Sequence, residues 1–317
     1  MKIIGTGRAH PAFTLTNSML EEILDTSNDW IVERTGITQR QIITNEKLED
    51  LAAEAARKAL DDAGLSPRDI DLLICSNVVN EYATPSLGCV VEGLIGAECP
   101  TYDINAACSG FVYALSMAEA YLRSGMFHRI LVLCAEEPTR MVSWQDRSTC
   151  VLFGDAAGAV VVTAGDELKA IRITATPKRD VLRYERMLQP TPYITKDEND
   201  VPLVMNGREV FKTAVTSSIA DVEGVLRDAG VDKDEVKYYI LHQANVRIID
   251  AIREHFKQPV EKFPRNVDRF GNTSSASIPV MLDEMSHQGC FKRGDKLVLS
   301  AFGAGFTTAA CVIEWAK

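Results

Sequence analysis

The sequence has no C-x-x-C pair, and its eight cysteines (75, 89, 99, 108, 134, 150, 290 and 311) and five histidines nowhere stand at metal-ligand spacing. That pattern speaks against a zinc site, and no metal is expected. Most of the cysteines lie in apolar runs such as LLICSNVV and ILVLCAE, where cysteine packs as a small hydrophobe, so structural disulfides are not expected either. Long apolar runs are also missing. No stretch reaches about 18 uncharged apolar residues, and Met1 to Thr6 is strand-like with one Lys, unlike the apolar core of about 7 to 15 residues in a secretory signal. A cytoplasmic protein with no membrane segment is the expectation. Excess positive charge is absent as well: 34 Lys+Arg stand against 44 Asp+Glu, a net charge of −10. Broad affinity for nucleic acid or an anionic membrane is therefore disfavoured, and any anionic partner needs a local basic patch.

What is present is 317 residues, 46% hydrophobic and 25% charged, enough for two domains of about 150 residues or one large two-part domain. The chain repeats itself. Residues 59 to 77, ALDDAGLSPRDIDLLICSN, line up with 225 to 243, VLRDAGVDKDEVKYYILHQ, at an offset of 166 (225 − 59), and ILVLCA from Ile130 falls on KLVLSA from Lys296 at the same offset (296 − 130). A constant offset predicts equal spacing of equivalent elements throughout. In each copy an apolar helical face (Ala53, Ala56, Leu60, Ala63; Ile219, Val222, Leu226, Ala229) leads to a stop at Gly64 or Gly230 and then to a nearly continuous apolar strand, 71 to 79 or 237 to 241. Such strands suit a sheet covered by helices on both faces, and further strands are predicted at 129 to 135, 158 to 163, 296 to 302 and 308 to 314. Two α/β halves, 1–165 and 166–317, are expected to pack about a pseudo-twofold axis with the functional site between them. Residues 137 to 152 have no counterpart in the second half. Residues 177 to 209, with four prolines, read as a long irregular excursion over the site.

Tyr102 to Ala120, YDINAACSGFVYALSMAEA, begins as a strand and becomes an almost uncharged helix with Cys108 at the changeover. A thiol there faces unpaired N–H groups and the positive end of the helix dipole, both of which favour thiolate, which makes Cys108 a candidate nucleophile. A plain buried cysteine, the reading that suits Cys75 and Cys134, is the alternative on position alone. The 166 offset carries Cys108 to Ser274 in FGNTSSASIP, where Asn272 stands; His242 follows the apolar YYIL at the position matching Ser76. The symmetry thus predicts that His242 and Asn272 converge on Cys108. Gly303 and Gly305, in AFGAGF after a buried strand, allow backbone N–H groups to approach a ligand and form an oxyanion hole.

These motifs, AACSGFVYAL, HQAN, FGNTSSASIP and AFGAGF, together with TSNDWIVERTGI from Thr26 and DRSTCVLFGDAAGA from Asp146, resemble the condensing enzymes of the thiolase superfamily. Over its whole length the chain is similar to the 3-oxoacyl-carrier-protein synthase III group. The resemblance implies an α/β fold of duplicated thiolase-like halves in a layered α-β-α-β-α sandwich, a cytoplasmic homodimer with sheets continuing across the interface, and no cofactor. It also implies an acyltransferase that initiates fatty acid biosynthesis from an acyl-CoA and a malonyl-loaded acyl carrier protein, in ping-pong order through acyl-Cys108. The oxyanion hole would be formed by Cys108 and the Gly303, Ala304, Gly305 loop, and the enolate would be held by His242 and Asn272. Trp30, Arg34, Arg147, Phe211 and Asn245 would contact CoA or its pantetheine; Lys212, Arg247 and Arg253 would meet the carrier protein.

Thr84 stands where short-primer relatives carry a pocket-closing Phe from the partner subunit, so a deeper acyl pocket is expected, walled also by Phe153 and the 177 to 209 segment. Thr308 stands where many members have Trp, for which the sequence offers no account. Four other readings compete. A relative serving a secondary pathway would use the same sulfur. A cysteine hydrolase would share the Cys, His, Asn order, with 134 residues (242 − 108) between the first two, but the C-G-[SA]-C-[WY] setting is absent. A thiolase proper needs a second cysteine in the glycine loop, where Ala304 lies; a non-catalytic carrier-protein scaffold remains.

Overall fold

The computed structural model describes residues 1–185 and 202–317. Its centre is two sheets of mixed direction. The first runs, edge to edge, Lys2–Ala9, Ala156–Thr163, Arg129–Glu136, Leu72–Ser76 and Thr101–Ile104; the second runs Val236–Leu241, Lys296–Gly303, Thr307–Glu314 and Leu168–Ala175. The predicted strands are all present with ends moved by a few residues. The strand expected to run to Val79 stops at Ser76, because the Asn77 amide turns to donate to Ala135 O (2.6 Å) and Val79 O (3.0 Å).

Helices Gly110–Ser124 and Ser277–His287 lie between the sheets, where Phe111, Leu115, Ile278 and Leu282 share one core with the inner faces of both. The alanine-rich helix Leu48–Ala63 covers the outer face of the first sheet, and Gly207–Ala229 with Val246–Phe256 covers the outer face of the second. Counted across, the layers are α-β-α-β-α, and the apolar runs read as strands are buried on both faces for that reason.

The internal repeat is less regular than a single offset. Leu72 and Ile74 share the inner core with Ile240, and Gly64 and Gly230 both cap their helices in the left-handed conformation, all consistent with 166. Further along, Ile130, Val132 and Cys134 face the inner core together with Leu297, Leu299 and Ala301, while Leu131 and Leu133 face outward like Val298. Because side chains alternate across a strand, an even offset would put these sets on opposite faces; the equivalence here is 167 (297 − 130). The same 167 relates the tight turns before the two central helices, Ala107–Ser109 and Ser274–Ala276, each opening on a left-handed residue, Ala107 (φ 48) and Ser274 (φ 52). Cys108 is therefore matched by Ser275, not by Ser274 as the constant offset predicts, and Asn272 is matched by Asn105. Both asparagines make the same bond, Asn105 Oδ1 accepting from Ala107 N (3.1 Å) and Asn272 Oδ1 from Ser274 N (2.9 Å).

The 177 to 209 segment is only partly irregular. Leu182–Arg183 and Val204–Met205 pair as a short antiparallel ribbon, and the following helix already starts at Gly207, capped by Asn206. Residues 186 to 201 of that excursion, Pro190 and Pro192 among them, lie outside the described residues. No helix among the described residues is long and apolar enough to cross a membrane.

Candidate active site

One cavity of about 980 Å³ opens between the halves, and Cys108, His242, Asn272 and the Gly303–Gly305 loop all line it. Each arrives from the end of a central element. Cys108 sits in the tight turn between strand Thr101–Ile104 and helix Gly110–Ser124. Gly303 ends the strand Lys296–Gly303 directly against that turn; a Cβ there would lie 2.6 Å from the Cys108 nitrogen, so only glycine lets the two backbones meet.

Sequence position alone points to a thiolate at Cys108, but burial dominates and pushes the thiol up to about 12. The Ser274 hydroxyl, 3.5 Å from the sulfur, and the Cys108 backbone N–H pull the other way, while the charge of Glu136 adds to the rise. The resting sulfur is thus a thiol.

His242 continues the strand Val236–Leu241, its N–H donating to Ser300 O (2.8 Å). Its ring packs edge-on against Phe302 (5.3 Å), Nδ1 lies 2.7 Å from Ser277 Oγ, and Nε2 is buried without a hydrogen-bond partner among the described residues. Burial lowers its pKa to about 3, so the imidazole is neutral at ordinary pH. Asn272 is held through its backbone: its N–H donates to Leu152 O (2.8 Å), and its carbonyl accepts from Gly154 N (3.2 Å), a parallel bridge with Phe153. Leu152, the last residue of the 137 to 152 stretch without a counterpart, and Gly154 just after it therefore pin Asn272 from the opposite half. With Oδ1 engaged by Ser274 N, the Asn272 amide NH₂ is left for the cavity.

At the mouth, Trp30, Arg34, Phe211, Asn245 and Arg247 line the cavity. The guanidinium groups of Arg34 and Arg147 lie over the Trp30 ring at 4.9 and 5.1 Å, so a further ring can stack on Trp30 only where one of them moves aside. Arg147 also bonds to Asp25. Asn245 caps helix Val246–Phe256 through Arg247 N (2.8 Å) and donates to Arg34 O (3.0 Å), tying the two halves at the mouth. Arg247 lies over Phe211 at 5.8 Å, and Lys212 is exposed. Arg253 differs: its guanidinium is engaged by Asp250 (3.3 Å) and Glu254 (3.4 Å), and it does not line the cavity. Phe153 is a cavity wall, with Val151, Leu152, Met141, Leu182 and Leu203 beside it; Thr84 is exposed and outside the lining. Among the described residues no three His, Cys, Asp or Glu side chains gather as metal ligands, and all eight cysteines are unpaired.

Sequence reading missed Ser277, Ser275, Glu136 and Phe302. The signal was available in part, since strand parity places Ser275 opposite Cys108, but hydrogen bonds between side chains distant in the chain leave no local pattern.

Family models match the chain twice, as "3-Oxoacyl-[acyl-carrier-protein (ACP)] synthase III" over residues 102–177 and as its C-terminal part over 226–315. The beta-ketoacyl-[acyl-carrier-protein] synthase III of Clostridium acetobutylicum is 40% identical, covering 100% of this chain and 99% of that protein. The enzyme of the same name from Aquifex aeolicus is 43% identical, with 99% of each chain covered. A crystal structure of 3-oxoacyl-[acyl-carrier-protein] synthase III from Aquifex aeolicus superimposes with a TM-score of 0.92 at 42% identity, over 99% of both chains. Full-length identity at this level, on the same two-sheet fold, places the chain in the 3-oxoacyl-[acyl-carrier-protein] synthase III family of condensing enzymes.

Proposed function

We propose that this enzyme joins an acyl-CoA primer to malonyl-carrier protein with loss of CO₂, releasing CoA and 3-oxoacyl-carrier protein, the first condensation of fatty acid synthesis. The observation that carries the reading is the convergence of Cys108, His242 and Asn272 on one cavity with Gly303 against the Cys108 nitrogen. The Cys108 sulfur attacks the primer's thioester carbon, the oxyanion is held by the backbone N–H groups of Cys108 and the Gly303–Gly305 loop, and CoA leaves with a proton. The malonyl thioester then enters. As its carboxylate departs as CO₂, the electron pair moves onto the thioester oxygen, where His242 Nε2–H and the Asn272 NH₂ donate to the enolate. A neutral imidazole can donate from Nε2 only if Nδ1 accepts, and the Ser277 hydroxyl is placed to fix that tautomer. The enolate carbon attacks acyl-Cys108, and the sulfur leaves as thiolate.

Primer CoA is assigned to Trp30, Arg34, Arg147, Phe211 and Asn245, and the carrier protein to Lys212 and Arg247, with Arg253 contributing only if released from its acidic neighbours. A cytoplasmic homodimer completes the proposal, formed at the open edge strand Thr101–Ile104 and bringing Thr84 to its partner's acyl pocket. The reaction needs no cofactor. Single-turnover assays test the roles. Cys108→Ser should form no acyl-enzyme by mass spectrometry, whereas His242→Ala and Asn272→Ala should acylate normally yet release no CO₂; normal condensation by Asn272→Ala would refute its role.

A further inference from the structure

Behind Cys108, on the side away from the cavity, lies a buried polar cluster that the reaction does not use. Strand parity equates Glu136 with Gly303 (303 − 136 = 167), since both end their central strands. Where Gly303 leaves the Cys108 nitrogen free to face a ligand, Glu136 fills the corresponding place beside Ser275 with its own carboxylate. Its Oε1 accepts from Ser275 Oγ at 2.5 Å and its Oε2 from Val78 N at 3.2 Å; Ser76 donates in turn to Ser275 Oγ at 3.0 Å. Gly110 makes room for this chain, because a Cβ there would strike the Ser76 hydroxyl at 1.9 Å. Glu136, Ser275 and Ser76 are each 1% exposed.

We infer that Glu136 is a positioning residue for the nucleophile: its carboxylate, anchored on Ser275, holds the adjoining Ser274 hydroxyl against the Cys108 sulfur and sets the pH at which that sulfur ionises. The inference rests on Cys108 being the acylated sulfur. Two influences of opposite sign meet at the thiol, the Ser274 hydroxyl favouring ionisation and the Glu136 charge opposing it. Glu136 is itself pushed up to about 7 by burial, against hydrogen bonds from Ser275, Val78 and the Ser274 hydroxyl, which thus lies between the carboxylate and the sulfur. The titratable groups facing it are Cys108 from the turn, Cys75 from the neighbouring strand and Cys134 from its own strand; no cation is among them. Above the pH where Glu136 ionises, forming the thiolate places a second negative charge beside the first.

The test is the pH dependence of iodoacetamide alkylation in the full-length protein, read by mass spectrometry on the Cys108 peptide because Cys89 is exposed and reacts as well. Glu136→Gln should raise the alkylation rate at pH 8 by about tenfold, equivalent to a midpoint about one pH unit lower. Glu136→Asp, which keeps the charge, should return the profile toward the parent, and Ser274→Ala should slow alkylation. A purely structural role would lower thermal stability without moving the pH midpoint. Should Glu136→Gln fail to fold, Ser275→Ala carries the test: it leaves the carboxylate in place but removes its anchor, so the Ser274 hydroxyl is released from the sulfur and the profile should move to higher pH. For Glu136→Gln a profile that superimposes on the parent or moves to higher pH overturns the inference, and for Ser275→Ala a profile that superimposes or moves to lower pH does so. Alkylation requires no substrate, so the two readings fail separately: a protein that forms no acyl-Cys108 refutes the proposed reaction, whereas one that acylates Cys108 but shows no shift overturns this inference alone.

Discussion

Gly303→Ala is the most direct probe of how the two backbones meet. The added Cβ would lie 2.6 Å from the Cys108 nitrogen, 2.9 Å from the Ala107 Cβ and 3.2 Å from the Ala106 oxygen. Ordinary contacts begin near 3.5 Å, and two of the three atoms are backbone, so no side chain can swing away to relieve them. The Cys108 turn must retreat by most of an ångström, which costs about 1–3 kcal/mol of stability as overpacking. An oxyanion donor works only at about 2.7–3.1 Å, so the same displacement removes the Cys108 N–H from use, a loss of about 10² to 10³ in rate. Rapid-quench measurement of acyl-Cys108 formation should therefore fall at least about a hundredfold, while thermal melting still reports a folded protein. Acylation within about threefold of the parent would refute this account of the oxyanion site.

Other outcomes follow from the same geometry. The folded pKa of His242, about 3, lies below its unfolded value of 6.5, so the unfolded chain binds a proton first and stability falls as pH drops from 6.5 toward 3. At pH 5 this amounts to about 2 kcal/mol, and urea unfolding at pH 7 and pH 5 should show His242→Gln losing less than the parent by that amount. Ser277→Ala, which frees Nδ1, should slow CO₂ release about tenfold or more with acylation unchanged; equal slowing of both half-reactions would count against a tautomer role. Lys212→Glu combined with Arg247→Glu should raise KM for malonyl-carrier protein, with an unchanged KM refuting the patch. Hexanoyl- or octanoyl-CoA should be turned over better than acetyl-CoA in a primer panel; equal or better turnover of acetyl-CoA would contradict the deep pocket.

Much of the fold was legible because buried strands and capped helices write short, dense patterns. Gly64 and Gly230 end their helices where the repeat puts them, and LLICS and YYIL are strands. Leu168–Ala175 was missed because it is an edge strand with a largely exposed outer half, so neither alternation nor a continuous apolar run marks it. The meeting of Cys108, His242 and Asn272 was readable from symmetry, whereas the partner of Cys108 was misjudged by one residue. Identity scoring aligned ILVLCA with KLVLSA, but the chain is aligned by which face each side chain turns to the core. Sulfur chemistry was the least legible, since a dipole can be inferred from local sequence while the extent of burial and the position of Glu136 are properties of the assembled halves.

The parallel bridge between Phe153 and Asn272 has a consequence for redesign. One rung of backbone joins the residue whose ring would bound the primer to the residue whose amide would steady the carbanion, so primer selectivity and carbon–carbon bond formation would be mechanically geared together. Trimming the Phe153 ring alone can widen the range of primers accepted, but any alteration that shifts the main chain at 152 to 154 would drag the carboxamide with it and be felt as slower condensation of every primer alike.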